Sequence, residues 1–507
     1  LARTPTADAE PPRPPPASGK ALTTAQLALL KRGVLDGAQY DPYWAYGKPS
    51  RHSVPVDPSG WSSDPIDAFI RARQRIAHVR PAPTADRRTL IRRLTLDLTG
   101  LPPSPEQVAD FVADERPNAY RRLVDRLLAS PAFGERMAIY WLDLVRYADT
   151  VGYHGDQDHN ISPYRDYVIS AANGDLPLDQ FTREQIAGDL LPDPTTAQLV
   201  ATGYNRLLQT SHEGGVQPKE YLAIYAADRI RNLSAVWMGA TVGCAQCHDH
   251  KYDPFTSKDF YSLVAFFADV DEQQHFKLGS NALPTRRPPE IAVLSGWQQV
   301  RFNAIAQALM QLETGVDRAD EDRLKRLDLL RAEQSALDAQ RRMTMVTRAI
   351  APRDIRILPR GNWLDDSGPI VQPAIPEFLG NLDAPGRRAT RLDLANWLVN
   401  RKDGIGEMTA RVFANRYWYL MFGRGISPSL GDFGGQGQPP THPELLDQLA
   451  LDFVDGGWSV KSFLRRLAAT QSYRQESSVD DQLIETDPMN DLLARQARYR
   501  IPAETVR

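Results

Sequence analysis

The chain reads as a mostly α-helical protein: multi-helix domains, a protruding antiparallel helical hairpin and only minor β structure. Three observations predict this. Apolar residues recur three and four apart through most of the 507 residues. Helix starts are marked by Ser or Thr, then Pro, then Gln or Glu. Only one short segment, Asp354 to Leu358, has β-like character.

Composition limits the rest. Hydrophobic content of 42% and charged content of 24% are ordinary for a globular protein, and the length suits about two to four domains. A formal charge of -3 gives no basic field for nucleic acid, and no apolar run is long enough to span a bilayer. The first residues are Pro-rich and carry no signal-peptide pattern, as in an internal or mature fragment.

Residues 1–20 are expected to be extended, with Pro11, Pro12, Pro14, Pro15 and Pro16 favouring polyproline II. A helix from Leu22 to Ala38 follows, opened by Thr23 and Gln26, with Leu27, Leu30 and Val34 on one face. Proline-containing elements connect 41 to 60. Helices then fill 64–148, one starting at Ser104, Pro105 and Gln107, another burying Tyr140, Trp141, Leu144, Val145 and Ala148. A polar loop over 149–163 precedes two helices broken near Asn173-Gly174 and Pro192. After a glycine-containing loop at 209–219, a long helix carries Leu222, Ala226, Ile230, Leu233 and Trp237 toward the core and ends near Gly243. Phe302, Ile305, Leu309, Leu312 and Val316, then Leu324, Leu327, Leu330 and Leu337, form the two seams of the hairpin. The region 389–475 is helical again, with a helix start at Thr441, Pro443 and Glu444.

Directly after the long helix stand Cys244, Ala245, Gln246, Cys247 and His248, which use both cysteines of the chain. C-x-x-C-H is the pattern of covalent c-type haem attachment: each thiol adds to one vinyl group, and the adjacent imidazole ligates the iron. Two other chemistries use the same residues. The cysteines could form a redox disulfide, or they could bind zinc with His248 and His250. Zinc ligands usually come from two separated pairs, and a dithiol enzyme should sit near a βαβ pattern, so haem is preferred. Covalent haem attachment takes place outside the bacterial cytoplasm, so the motif implies a periplasmic or extracellular protein.

Several longer segments resemble the large planctomycete-type cytochrome-like proteins. They are Leu98 to Glu106, Tyr140 to Asp149, Arg183 to Pro192, Glu213 to Gly215 and Gly243 to Pro254. Arg411 to Arg416, Phe422 to Gly425 and Pro440 to Leu446 belong to the same set. The resemblance implies tandem domains of unknown function behind an N-terminal cytochrome module. On that basis 1–63 is a Pro-rich linker and the tail of an upstream module, and 64–275 is a helical domain with the haem motif. Residues 276–345 form a connector and the hairpin, and 346–507 a C-terminal helical domain whose family counterpart continues past Arg507. Arg13 stands where the family's upstream module commonly has a methionine.

One covalent haem c is therefore expected, on Cys244 and Cys247, with His248 as the proximal ligand. A sixth ligand is not named by the motif; His154, His159, His212, His275 and Met238 are candidates. His154 leads, because Tyr153 to Asn160 resembles a motif in part of the family. Asp156, Asp158 and His159, or His212 with Glu213, are candidate calcium or transition-metal ligands, though loop capping and solvation account for them more simply. Asp249 and Asp253 flank the motif and could tune it. Gly214 and Gly215 make no phosphate-binding fingerprint, and no nucleophile motif accompanies the histidines. Electron transfer is the leading function, with a redox partner protein or the upstream module as partner. An enzyme acting on an extracellular substrate such as a polysaccharide, and an interaction subunit of a membrane-associated or multi-subunit envelope assembly, are the alternatives.

Overall fold

Small polar residues and prolines decide where most helices begin. In the computed structural model the described residues are 23–35, 43–153, 155–211, 216–272, 274–277, 283–314, 321–382, 384–478, 481–501 and 503. At Ser104 the hydroxyl accepts the Gln107 N–H at 3.2 Å while the Gln107 side chain accepts the Ser104 N–H at 3.0 Å. This reciprocal pairing satisfies two otherwise orphaned donors of the first turn. Thr195 with Gln198, Thr256 with Asp259 and Thr390 with Asp393 start three more helices in the same way.

Two compact units are present, Leu1–Gly47 and Lys48–Arg507. The first contains helix α1 (Thr24–Leu35), with Thr23 and Gln26 exchanging bonds of 2.9 and 3.3 Å. The expected apolar face of α1 is not buried: Leu30 and Val34 are 51% and 54% exposed. The polyproline expectation for 1–20 lies outside the described residues.

The second unit is an assembly of helices. Its first part contains α2 (Pro65–Ile76), α3 (Arg87–Thr99), α4 (Pro105–Ala113), α5 (Ala119–Leu128), α6 (Pro131–Leu144), α7 (Ser162–Asn173), α8 (Leu178–Ala187) and α9 (Thr196–Ala201). Then come α10 (Pro218–Leu233), α11 (Ser257–Phe266) and α12 (Gln274–Lys277). After the hairpin helices α13 (Gly296–Thr314) and α14 (Glu321–Asp338) follow α15 (Arg391–Val399), α16 (Gly406–Phe422), α17 (Pro443–Asp455), α18 (Val460–Ala469), α19 (Gln471–Arg474) and α20 (Asp481–Thr486).

The strands are short. β1 (Glu290–Val293) pairs antiparallel with β2 (Arg342–Met345), and β3 (Ile355–Arg356) with β4 (Ile370–Val371). The β-like segment 354–358 is thus a real strand, whereas the β1–β2 ladder at the base of the hairpin carried too short an alternation to be read.

Helix α16 is the centre of the core. Almost every residue from Gly406 to Phe422 is buried, with Trp418 fully enclosed, and α15, α17 and α18 pack around it. Each buried aromatic or branched side chain contributes about 1.5–3 kcal/mol through the area it withdraws from water. One fully buried cation ties α15 to the segments that follow α8 and α11. Arg391 of α15 makes two bonds to Asp189, at 2.7 and 2.9 Å, and two to Asp269, at 2.8 and 3.0 Å. The two carboxylates compensate the guanidinium that burial would otherwise penalise, and they hold its pKa above the usual arginine value.

In the hairpin, α13 and α14 run antiparallel, held by Arg301–Glu333 at 2.7 Å and Arg331–Glu313 at 2.8 Å. Ile305, Leu309, Leu327 and Leu337 form its own small core, flanked by Phe302, Leu312 and Leu330. Leu324, expected in the seam, is 50% exposed and stands outside this small core. Val316 lies outside the described residues.

Three helix boundaries differ from expectation. The Tyr140 helix stops at Leu144, so Ala148 is exposed and Tyr140 and Leu144 are half-buried. The long helix changes to a π turn over Ser234–Met238 and is closed by Gly239, not Gly243. Gly239 adopts φ 57°, and a Cβ there would stand 2.9 Å from the Val412 side chain, so both conformation and packing require glycine. At α17 the N-cap is His442 without a side-chain cap bond; Thr441 hydrogen bonds instead with the Ile426 carbonyl and the His442 ring.

Candidate functional site at the cysteine turn

The cysteine motif follows Gly239 on a tight 3-10 turn, Val242–Gln246. The Cys244 carbonyl accepts the Cys247 N–H at 3.2 Å and the His248 N–H at 3.4 Å, which gathers all three motif residues onto one turn. Val242 and Ala245 point inward and are fully buried, so the alternation leaves Cys244, Cys247 and His248 exposed. Both thiols are free. The His248 Nδ1 lies 2.8 Å from the Asp249 carbonyl. A carbonyl can only accept, so Nδ1 carries the proton and Nε2 presents a lone pair outward.

The following residues fold back under the turn. His250 is buried, and its Nδ1 accepts the Asp253 N–H at 2.9 Å and the Tyr252 N–H at 3.3 Å. Nδ1 is therefore occupied as an acceptor, and the 3.5 Å approach of Asp253 Oδ2 to it is not an ion pair. His250 Nε2 and Asp253 Oδ2 are buried without hydrogen-bond partners among the described residues. Asp253 Oδ1 accepts the Gly435 N–H at 2.8 Å, and a Cβ on Gly434 would stand 2.4 Å from Oδ2. The same loop reaches the start of the motif, since the Phe433 N–H donates to the Gly239 carbonyl at 2.7 Å. A distant glycine-rich segment, Gly431 to Gly437, thus buttresses the cysteine turn, with only its run of glycines as a sequence signal.

Beside the turn lies a cleft of about 390 Å³, open to solvent, between α10, α11 and the β3–β4 arm. Leu222 and Ala226, expected to face the core, line it instead. The Tyr261 hydroxyl joins cleft and motif: it donates toward the Gln246 carbonyl at 2.9 Å, with the Leu358 carbonyl at 3.4 Å. Burial, then the neighbouring Cys247, push its pKa up to about 12.

The zinc set is not assembled. Among the described residues no three His, Cys, Asp or Glu side chains converge as a metal site, and His250 is turned away into the interior. Of the calcium candidates, Asp156 and His159 use their side chains within their own loop, and Asp158 contributes its backbone carbonyl. Asp156 accepts the Gly152 N–H at 2.9 Å, the Asp158 carbonyl accepts the Thr285 N–H at 2.7 Å, and His159 Nε2 meets the Ala148 carbonyl at 2.9 Å. Burial lowers the His159 pKa to about 4. Met238 is buried in the π turn. His154, His212 and Glu213 lie outside the described residues, as does the side chain of His275. Asp249 accepts the Ser257 N–H at 2.8 Å, so both flanking carboxylates serve the fold of the turn.

Fold and site together define a helical protein of two tandem domains with a dithiol–imidazole turn in the first. Residues 65–272 match the family described as PSCyt2, protein of unknown function (DUF1549), and residues 390–507 match PSD1, protein of unknown function (DUF1553). These are the tandem planctomycete-type domains. No curated protein and no solved structure matches the chain. Among the described residues no helix is long and apolar enough to cross a membrane.

Proposed function

We propose that this is an exported c-type haem protein whose function is electron transfer. One observation supports this above others: two free, exposed thiols and an imidazole share a single turn, with the outward imidazole nitrogen available. The donor set fits the group. Cys244 and Cys247 would hold the haem as thioethers, and His248 Nε2 would be its proximal ligand. The Asp249 carbonyl fixes the ring tautomer and orientation, as an outer-shell acceptor does for ligating histidines generally. When bound, the haem supplies one-electron exchange at a potential set by ligands, hydrogen bonding and exposure. His154 remains the proposed distal ligand. A redox protein or an upstream cytochrome module would be the partner, in the periplasm or outside the cell.

A second reading is an enzyme acting on an extracellular substrate, since the cleft gives a small molecule access beside the turn. The exposed Trp297, Val300 and Leu329 of the hairpin support an envelope-assembly subunit. A pyridine haemochrome spectrum on protein washed in acidified acetone tests the main reading. A c-type α-band retained with the polypeptide is expected; a colourless protein would remove haem from all three. Carbon monoxide binding to the reduced protein separates an open sixth position, expected of an enzyme, from a closed one.

A further inference from the structure

We infer that the cleft beside the cysteine turn binds a small molecule with a planar, apolar body and one acidic group. The inference rests on the cleft alone and does not require haem.

Space and walls come first. Ligand sites generally enclose about 300–1,000 Å³, and the cavity of about 390 Å³ between α10, α11 and the arm falls at the small end of that range. Leu222 and Ala226 form one ridge, four residues apart on α10, and Phe260 and Val264 form the facing ridge on α11. Trp363, half-buried, contributes a flat indole from the arm. Two rigid ridges and an aromatic plane suit a flat body.

Polar groups narrow the class. Gln246, Tyr261 and the Trp363 indole N–H are the neutral hydrogen-bonding side-chain groups of the lining among the described residues, and the Tyr261 hydroxyl is already engaged by the Gln246 carbonyl. A polyhydroxylated ligand would bury many groups without partners, and each stranded group weakens binding. Charge then selects the sign. Lys219, Arg229, Arg353 and Arg356 line the cleft against Asp354 and Asp366. Lys219 and Asp366 pair with each other at 2.6 Å, and Glu272 beneath the floor is shared by Arg229 and Arg353. Arg356 donates to the Gly368 carbonyl at 3.1 Å and makes no ion pair among the described residues. Exposed Asp354 likewise makes no ion pair among the described residues, yet with Glu272 included four cations face three carboxylates, and Arg356 is the cation placed to receive an anion.

Anthraquinone-2-sulfonate has this chemistry and serves as the probe, titrated calorimetrically into the purified chain. Saturable binding at one site is expected. Ala226→Phe, which fills the space, should weaken it at least about tenfold, and Arg356→Gln about threefold to tenfold with a flatter salt dependence. Trp363→Ala, on an exposed arm, gives an independent reading if Ala226→Phe does not fold. Absence of saturable heat overturns the inference, as does undiminished affinity in both cleft variants that retain the parent's helical content. The haemochrome result on the same preparation is scored separately, so either conclusion can fall while the other stands.

Discussion

Gly361 and Cys247 approach so closely that a Cβ on Gly361 would stand 2.8 Å from the Cys247 sulfur. Gly361 lies in the turn after β3 at φ 72°, where a side chain is also strained. The β3–β4 arm therefore fixes the position of one motif thiol through a residue more than a hundred positions away. Gly361→Ala is expected to cost about 1–3 kcal/mol of stability and to change the rate at which Cys247 reacts with a thiol reagent. Denaturant unfolding and stopped-flow labelling in a Cys244→Ala background check this. Unchanged labelling would mean that the arm does not position the thiol.

His248 divides tethering from ligation. If the haem reading holds, His248→Ala should keep the colour on the polypeptide, because both thioethers remain, while the visible spectrum loses its imidazole-ligated form. Cys244→Ala with Cys247→Ala should instead lose acid-acetone-stable colour. Equal loss of covalent haem in both variants would argue that His248 acts in folding or attachment and not as a ligand.

Asp253 is the link between the motif and the glycine-rich loop of the C-terminal domain. It is 5% exposed and accepts the Gly435 N–H at 2.8 Å. Asp253→Ala removes the carboxylate acceptor of this part-buried bond, for an expected loss of about 1–3 kcal/mol. Gly434→Ala, whose Cβ would meet the same carboxylate, should destabilise as well, and the double variant should lose less than the sum of the two. Strict additivity would show that the two residues act independently.

Local chemistry accounts for what was readable in the sequence. Caps such as Ser104 with Gln107 involve residues three apart, and the hairpin seam repeats within its own two helices, so both are visible without tertiary knowledge. The cysteine turn is local for the same reason. Its supports are not: Gly361 and Gly435 gain meaning only from what they approach. Leu222 and Ala226 show the reverse error. Their helical spacing says that they share a face but not whether that face meets the core or a cleft. Thr441 obeyed the composition of a cap, yet its hydroxyl hydrogen bonds with the Ile426 carbonyl and the His442 ring.

His442 gives the fold an acid-sensitive point far from the motif in sequence. Its ring is 1% exposed, its Nδ1 lies 3.0 Å from the Thr441 hydroxyl, and its Nε2 is buried without a partner. Burial, reinforced by the positive charge of Arg73, lowers its pKa to about 3, from the usual 6.5. The unfolded chain therefore binds a proton that the folded chain refuses. The stabilisation is fully present above about pH 6.5 and is lost as pH falls from there toward 3, by an amount on the order of a few kcal/mol. His442→Leu removes this titration and should flatten the pH dependence of unfolding free energy between pH 6.5 and 4 relative to the parent, whatever its constant offset. Denaturant melts across that range decide the matter: parallel curves for the two proteins would mean that His442 does not resist protonation in the fold.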